Sequence, residues 1–159
     1  MKITIVCAGR LKEKYLRDGI TEYEKRLRPY ADIRTHEIAE ERMNEKPSAA
    51  EKVETLRREG ARLLAQVPQD AYLIVLDISG TAYSSEELAA RLDGLALAGK
   101  SHVAFLIGGP FGLSDDVRRA AGLRLSFSHF TLPHQLIRLF LVEQIYRAFK
   151  ISRGEPYHL

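Results

Sequence analysis

The sequence alternates short apolar runs with longer segments of helical periodicity, a pattern typical of α/β proteins with a mostly parallel sheet flanked by helices. The predicted strands cover residues 3–8, 33–38, 72–76, 103–107 and 123–127. The predicted helices cover residues 12–27, 48–66, 84–99, a short stretch after 114, and 133–150. Because no internal repeat, low-complexity tract or linker interrupts this order, we expect one domain over residues 1–159.

Local signals set several of these boundaries. Ser84 and Glu87 have the spacing of a capping box, and Ser114 is a typical residue before a short helix. Pro133 suits the first turn of the last helix. The third strand is predicted to end at Asp77, with Gly80 in the turn that follows. In the second helix, the predicted apolar stripe consists of Val53, Leu56, Leu63 and Leu64.

The last predicted helix carries apolar side chains around nearly its whole circumference, from Leu136 to Phe149. A helix of this kind must be buried on several sides. A terminal helix in so short a chain has few neighbours of its own to bury it. We therefore expect a homodimer in which a second copy covers this helix.

Composition excludes several classes. The chain is 45% hydrophobic and 28% charged, as in soluble globular proteins, and has no apolar run near the roughly 20 residues of a membrane helix. The first ten residues predict a strand and not a signal peptide. The single Cys7 fits a reducing cytoplasm, and its apolar setting favours a core role over a reactive thiol. The net charge of +3 fits contact with phosphates, but acidic residues interleaved in the first helix favour a solvated helix face.

Three strand ends carry unusual residues, and ligands of open α/β sheets collect at the carboxyl ends of strands. The segments are 76–80, 107–112 and 125–134. Gly108 and Gly109 would let a ligand approach the backbone, although a glycine pair alone is more typical of a plain turn. The motif of a P-loop and the spacing of a dinucleotide fingerprint are both absent.

The third segment mixes Ser, His and Thr with apolar residues, as ligand pockets do. His129 and His134 have no carboxylate or thiolate nearby in sequence, so we predict no metal site. His134 and Arg138 lie one turn apart on one helix face. For Glu143 and Arg147, an ordinary intrahelical pair is favoured.

Taken together, these segments resemble the bacterial ribosomal RNA large subunit methyltransferase H family of the SPOUT superfamily, over essentially the whole chain. The matching residues are most frequent toward the C-terminus and comprise Lys2 to Ile5, Gly9, Leu76-Asp77, Gly80, Ser84-Ser85, Phe105 to Gly109, Gly112-Leu113, Leu125 to Ser128, Thr131, Pro133-His134, Arg138, Glu143-Gln144, Tyr146 to Ala148, Ile151, Gly154 and Tyr157-His158. The chain departs from the family pattern at Arg10, at Leu159 and at His129-Phe130.

The resemblance implies a SPOUT-type fold with a C-terminal trefoil knot, a homodimer, and S-adenosylmethionine as methyl donor without a metal. By position, it implies that the donor is bound by Leu76, Gly108, Phe127, Ser128, His129, Phe130, Thr131 and Leu132. It implies methylation at N3 of a pseudouridine in the helix 69 stem-loop of 23S ribosomal RNA, on assembled ribosomes. The expected setting is the cytoplasm, with neither membrane nor DNA as partner.

N3 of a uracil-like ring must lose a proton as it attacks, so a nearby base or cation would assist. We therefore take His134, Arg138, Tyr157 and His158 as candidate catalytic residues, with the tail reaching across the dimer. The alternative is a non-catalytic ribosome-binding or RNA-binding factor of the same fold, which would not bind the donor. A nucleotide-binding enzyme of another kind would need a phosphate cradle that the sequence lacks.

Overall fold

The computed structural model describes residues 1–157 and has alternating strands and helices along the chain. The strands are β1 (Lys2–Ala8), β2 (Asp32–Ile38), β3 (Tyr72–Ala82), β4 (His102–Ile107) and β5 (Leu123–Ser126). The helices are α1 (Lys14–Leu27), α2 (Ala49–Leu64), α3 (Ser85–Leu97), α4 (Asp115–Ala120) and α5 (His134–Ser152). Within these residues, no helix combines the length and the apolar character needed to cross a membrane.

The five strands form one parallel sheet in the order β2-β1-β4-β3-β5. In the register, Ile3 of β1 lies beside Ile33 of β2 on one side and beside Val103 of β4 on the other. The predicted α/β class with a mostly parallel sheet is confirmed. The C-terminal trefoil knot is compatible with this element order and stays a prediction.

Both faces of the sheet are covered, and β4 contributes to both cores because its side chains alternate. Val103, Phe105 and Ile107 join the core under α1, α3 and α5. Ala104 and Leu106 join the core under α2 and α4. A parallel strand buried on both faces has a continuous apolar sequence, which is why β4 was predictable from its residues alone.

Serine caps begin three of the helices. The side chains of Ser84 and Ser48 each accept a hydrogen bond from the backbone N–H of the third helical residue, which is a glutamate in both helices. The carboxylate of that glutamate accepts a hydrogen bond from the backbone N–H of the serine. Ser114 accepts a hydrogen bond from the N–H of Val117, at 3.3 Å. The predicted capping box at Ser84 and the predicted cap at Ser114 are confirmed.

The strand β3 differs from its prediction. It continues beyond Leu76 to Ala82, with a register shift against β5 between Leu76 and Thr81. Gly80 therefore lies inside the strand and not in a turn. A Cβ at Gly80 would lie 2.5 Å from the carbonyl oxygen of Arg124, so the close approach of the two strands requires glycine here.

Two helices also differ in detail. Pro133 precedes α5 as its N-cap residue and is not part of the first turn. In α2, Val53 is exposed, so its place in the predicted apolar stripe is wrong. Leu63 is buried as predicted, and it shares the buried face of α2 with Thr55, Glu59 and Gly60.

The last helix is covered by its own chain more fully than the sequence suggested. Leu141, Val142 and Ile145 of α5 are buried in the core shared with α1 and α3. The expectation that α5 has few neighbours in its own chain to bury it is therefore wrong. Phe140 is the large apolar residue of α5 that remains exposed, at 44%.

Candidate active site

The part of β3 beyond its pairing with β4 and the loops that follow β4 and β5 converge on one cleft of about 560 Å³. Its volume lies within the range of small-molecule sites. Its walls come from β3, from the ends of β4 and β5 with the loops that follow them, from α4 and from the start of α5: Leu76, Asp77, Ile78, Ile107, Gly108, Gly109, Pro110, Gly112, Leu113, Arg118, Leu125, Ser126, Phe127, Ser128, Phe130, Thr131, Leu132, Pro133, His134 and Ile137. The structure thus brings together the three segments that the sequence singled out.

Glycine backbone forms the wall contributed by β4. The N–H of Gly112 donates to the carbonyl oxygen of Gly109 at 3.2 Å, closing a tight turn, and Gly112 has a φ of 96°, which favours glycine. A Cβ at Gly108 would lie 2.6 Å from the Leu113 side chain and 3.0 Å from the Gly112 carbonyl oxygen. Any side chain at Gly108 would therefore displace the turn.

Glu59 of α2 holds this glycine turn in place. One carboxylate oxygen accepts from the N–H of Gly109 at 3.1 Å, and the other accepts from the N–H of Glu41 at 3.2 Å. The side chain is buried, so these bonds satisfy a charge that would otherwise be costly. The sequence analysis missed Glu59. Glu59 lies four residues from both Thr55 and Leu63, so it shares their face of the helix. Once that face is known to be buried, this spacing identifies Glu59 as a buried glutamate.

Asp77 joins β3 electrostatically to α4 and to β5. One oxygen of its buried carboxylate accepts from the N–H and the hydroxyl of Ser79, at 3.1 and 2.9 Å. The other accepts from Nε of Arg118 at 2.9 Å and from Nε of Arg124 at 3.1 Å. Burial alone would raise the pKa of Asp77, but the bonds from Ser79 and Arg118 hold that pKa below its ordinary value.

The loop after β5 has its own internal bonds. The Ser126 hydroxyl donates to the carbonyl oxygen of Ser128 at 3.2 Å, and the N–H of Phe130 donates to the Ser128 hydroxyl at 3.0 Å. Of the run 127–132, His129 alone does not line the cleft. Phe130 lines it, yet the residue as a whole is 81% exposed.

The structure separates the predicted catalytic residues. His134 lines the cleft, and its Nε2 lies 3.1 Å from a carboxylate oxygen of Glu40. Arg138 does not line the cleft, although it follows His134 by one turn. Its guanidinium is buried, donates to the carbonyl oxygens of Ala8 and Gly9, and pairs with Glu37.

Arg138 lines a second cavity of about 390 Å³ between α1, β2 and α5. Among residues 1–157, its Nε is the one buried side-chain nitrogen or oxygen without a hydrogen-bond partner. Cys7 lines the same cavity, and burial raises the pKa of its thiol to about 11, in line with the core role favoured from the sequence.

Tyr157 packs farther along α5 and does not line the cleft. Its hydroxyl donates to Glu143 at 3.0 Å and lies 3.3 Å from the Tyr23 hydroxyl, and the Arg147 guanidinium sits 4.7 Å from the ring centroid. Burial, followed by these hydrogen bonds, raises the pKa of Tyr157 above its ordinary value, so the phenol stays protonated. His158 lies outside the described residues.

The expected Glu143 and Arg147 pair is present, with a nitrogen–oxygen distance of 2.6 Å. It also anchors Tyr157, a contact that the helical spacing did not indicate. Within residues 1–157, no group of three or more His, Cys, Asp or Glu side chains is arranged to hold a metal ion.

Comparison with known proteins identifies the family. The family model described as "Predicted SPOUT methyltransferase" matches residues 1–158. The chain is 56% identical over 158 residues to ribosomal RNA large subunit methyltransferase H of Listeria monocytogenes, covering 99% of each chain. Proteins of the same name from Moorella thermoacetica and Bacillus thuringiensis are 54% and 52% identical, with the same coverage.

Among solved structures, the fold matches a candidate methyltransferase from Legionella pneumophila that was solved in complex with bound SAM. The TM-score is 0.51 at 14% identity, and the match covers 94% of this chain and 66% of the Legionella chain. The parallel sheet and its cleft are thus those of a SPOUT methyltransferase. More narrowly, this chain belongs to the ribosomal RNA large subunit methyltransferase H family.

Proposed function

We propose that this protein transfers a methyl group from S-adenosylmethionine to N3 of a pseudouridine in the helix 69 stem-loop of 23S ribosomal RNA, acting on assembled ribosomes in the cytoplasm. The observation that carries the proposal is the convergence of β3 and of the loops after β4 and β5 on one cleft, with a glycine turn as one wall. Family membership and the names of relatives more than half identical in sequence support ribosomal RNA as the substrate.

The residues of the cleft fit the donor. The absence of Cβ atoms at Gly108 and Gly109 lets the turn pack closely against Leu113 and the Glu59 carboxylate, so its backbone forms a thin wall of the cleft that Glu59 keeps in place. Apolar walls with a few placed hydrogen-bonding groups suit a bound cosubstrate of this size. We assign the donor contacts to Leu76, Gly108, Phe127, Ser128, Thr131 and Leu132, and to the backbone of Phe130. His129 belongs to the same loop but lies off the cleft wall, and we omit it from the donor contacts.

The bound donor supplies an electrophilic methyl group on a sulfonium sulfur. The chain must then hold the RNA nucleophile in line with that methyl carbon and accept the proton that N3 releases as the new N–C bond forms. His134 is the one candidate base among the described residues that lines the cleft. With Nε2–H donated to Glu40, its Nδ1 is the nitrogen that accepts a proton.

Arg138 and Tyr157 act differently in this proposal. Arg138 is a positioning residue, because it ties the first turns of α5 to the end of β1 through two carbonyl oxygens. Tyr157 is anchored on Glu143, away from the cleft of its own chain. Tyr157 and His158 would therefore contribute to catalysis in the cleft of a second copy.

We propose that the second copy packs on the outer face of α5. Leu136 and Phe140 lie one turn apart on that helix, and Phe140 keeps 44% of its surface exposed. Burying them between two copies would remove exposed apolar surface beside the tail. Symmetric pairing is the commonest form of such assemblies.

The alternative, a factor that binds ribosomes without chemistry, predicts RNA binding but no donor binding. Calorimetric titration of the purified chain with S-adenosylmethionine, followed by single-turnover transfer of labelled methyl groups to unmethylated ribosomes, separates the two. We expect saturable donor binding and one methyl group per ribosome. An empty titration with intact RNA binding would favour the alternative.

A further inference from the structure

Phe130 is an aromatic residue that lines the cleft and is nevertheless largely exposed to solvent. Its neighbours Ser128 and Thr131 line the cleft, whereas Phe130 leaves 81% of its surface accessible. Two hydrogen bonds to or from Ser128 hold the loop, including one from the N–H of Phe130 itself. The ring is therefore presented outward by a shaped loop.

The residues around Phe130 form the opening, or mouth, of the cleft. Ile78, within β3, lines the same cleft and is 57% exposed. His134, the candidate base, also lines it, four residues beyond Phe130. An apolar rim thus borders the opening through which a substrate would approach the base.

Positive charge lies close to this mouth. Arg118 lines the cleft, with its guanidinium paired to Asp77. The exposed Lys12 lies beside the first turn of α5, where its N–H donates to the Gln135 side chain at 3.3 Å, and Arg10, two positions earlier in the chain, is also exposed. Cations beside an exposed aromatic ring are the combination that binds unpaired nucleotides, because the ring stacks on a base while the cations meet phosphates. This combination favours RNA over a protein partner.

We propose that Phe130 is the surface on which the target nucleobase stacks when it leaves its RNA stem-loop, and that this stacking directs the base toward His134. The inference rests on the proposed function, since an enzyme that modifies a base must first take it out of its stack. Phe130 would then act on the RNA, while the backbone around it contacts the donor.

The test compares Phe130→Ala, Phe130→Leu and Phe130→Trp with the wild type and with Leu97→Ala, which alters an apolar residue 91% exposed at the end of α3. We would measure single-turnover methyl transfer against RNA concentration, donor affinity by calorimetry, and oligomeric state by sedimentation. Phe130→Ala and Phe130→Leu should lower kcat/KM for the RNA roughly 5- to 150-fold, the range of one lost base-aromatic stack. Phe130→Trp should retain it, and Leu97→Ala should match the wild type.

Three results would overturn the inference while leaving methyl transfer by the wild type intact. These are unchanged kcat/KM in Phe130→Ala, a loss explained entirely by weaker donor binding, or a loss explained by a change in oligomeric state. A wild-type protein that transfers no methyl group to any ribosomal RNA substrate would instead remove the proposed function, and the inference with it.

Discussion

The buried carboxylate of Glu59 accepts a hydrogen bond of 3.1 Å from the backbone N–H of Gly109, and this bond fixes the glycine turn of the cleft to α2. The bond joins residues fifty positions apart in sequence. The position of the turn that faces the donor thus depends on a helix that does not itself line the cleft. The shape of the donor site therefore depends on α2.

Glu59→Ala should weaken both folding and donor binding. The substitution leaves the N–H groups of Gly109 and Glu41 without their acceptor, and each buried unsatisfied group costs about 1–3 kcal/mol. Urea unfolding should show this loss, and calorimetry should show a lower affinity for S-adenosylmethionine. Glu54→Ala, which removes an exposed carboxylate of the same helix, should stay within about 0.5 kcal/mol of the wild type. Equal donor affinity in Glu59→Ala and wild type would contradict the assigned role.

Asp77→Asn should destabilise the protein in a pH-dependent manner. The pKa of Asp77 is lowered in the fold, so its carboxylate contributes stability above its unfolded pKa of about 3.9, and that stability is lost as pH falls through the folded value. Near neutral pH we expect the variant to be less stable by about 2 kcal/mol, the scale of hydrogen bonds to a charged group. The gap should close below about pH 4.

Thermal or urea unfolding across this pH range measures the effect. Asp18→Asn, at an exposed carboxylate paired with Lys14, serves as the control and should follow the wild type. A gap between Asp77→Asn and wild type that stays constant down to pH 2 would mean that the ionised carboxylate is not what stabilises the cleft.

His134→Ala should slow methyl transfer with donor and RNA both saturating. Loss of a general base costs about 10²–10⁴-fold, and Glu40→Gln should give a smaller loss because it only loosens the orientation of the imidazole. His36→Ala, at an exposed position on the edge strand β2, is the matched control. Single-turnover rates for His134→Ala within twofold of the wild type would show that the proton goes elsewhere.

Phe140→Glu should convert a dimer into a monomer. A carboxylate at the centre of an apolar contact between two copies of α5 would be buried without a partner. Sedimentation velocity at several protein concentrations distinguishes the two states. Leu97→Glu, at a more exposed apolar residue outside α5, should remain dimeric. A wild type that sediments as a monomer at every concentration would refute the homodimer.

The fold was largely predictable because its signals are local. The strand β4 is buried on both faces and has a continuous apolar sequence, and Ser84 with Glu87 marks a helix start through bonds within four residues. The three strand ends that carry glycine, serine and histidine also proved to meet in one cleft. Parallel topology explains this, because carboxyl ends of parallel strands share one edge. That the chain forms a single domain stays a prediction.

The missed features depend on distant partners. Asp77 and Gly80 have the composition of a turn, but Arg118 and Arg124 hold Asp77 and allow β3 to continue. The partners of Glu59 are backbone N–H groups, which no sequence pattern marks. Arg138 follows His134 by four residues, a rise of about 6 Å along the helix, which is enough to place its guanidinium under the end of β1.

The most direct test is mass spectrometry of the helix 69 fragment of 23S ribosomal RNA, taken from cells that lack this protein and from the same cells supplied with it. The account predicts that the pseudouridine fragment gains one methyl group only when the protein is present, with fragmentation locating the methyl group on the base. Identical masses in the two samples would contradict it.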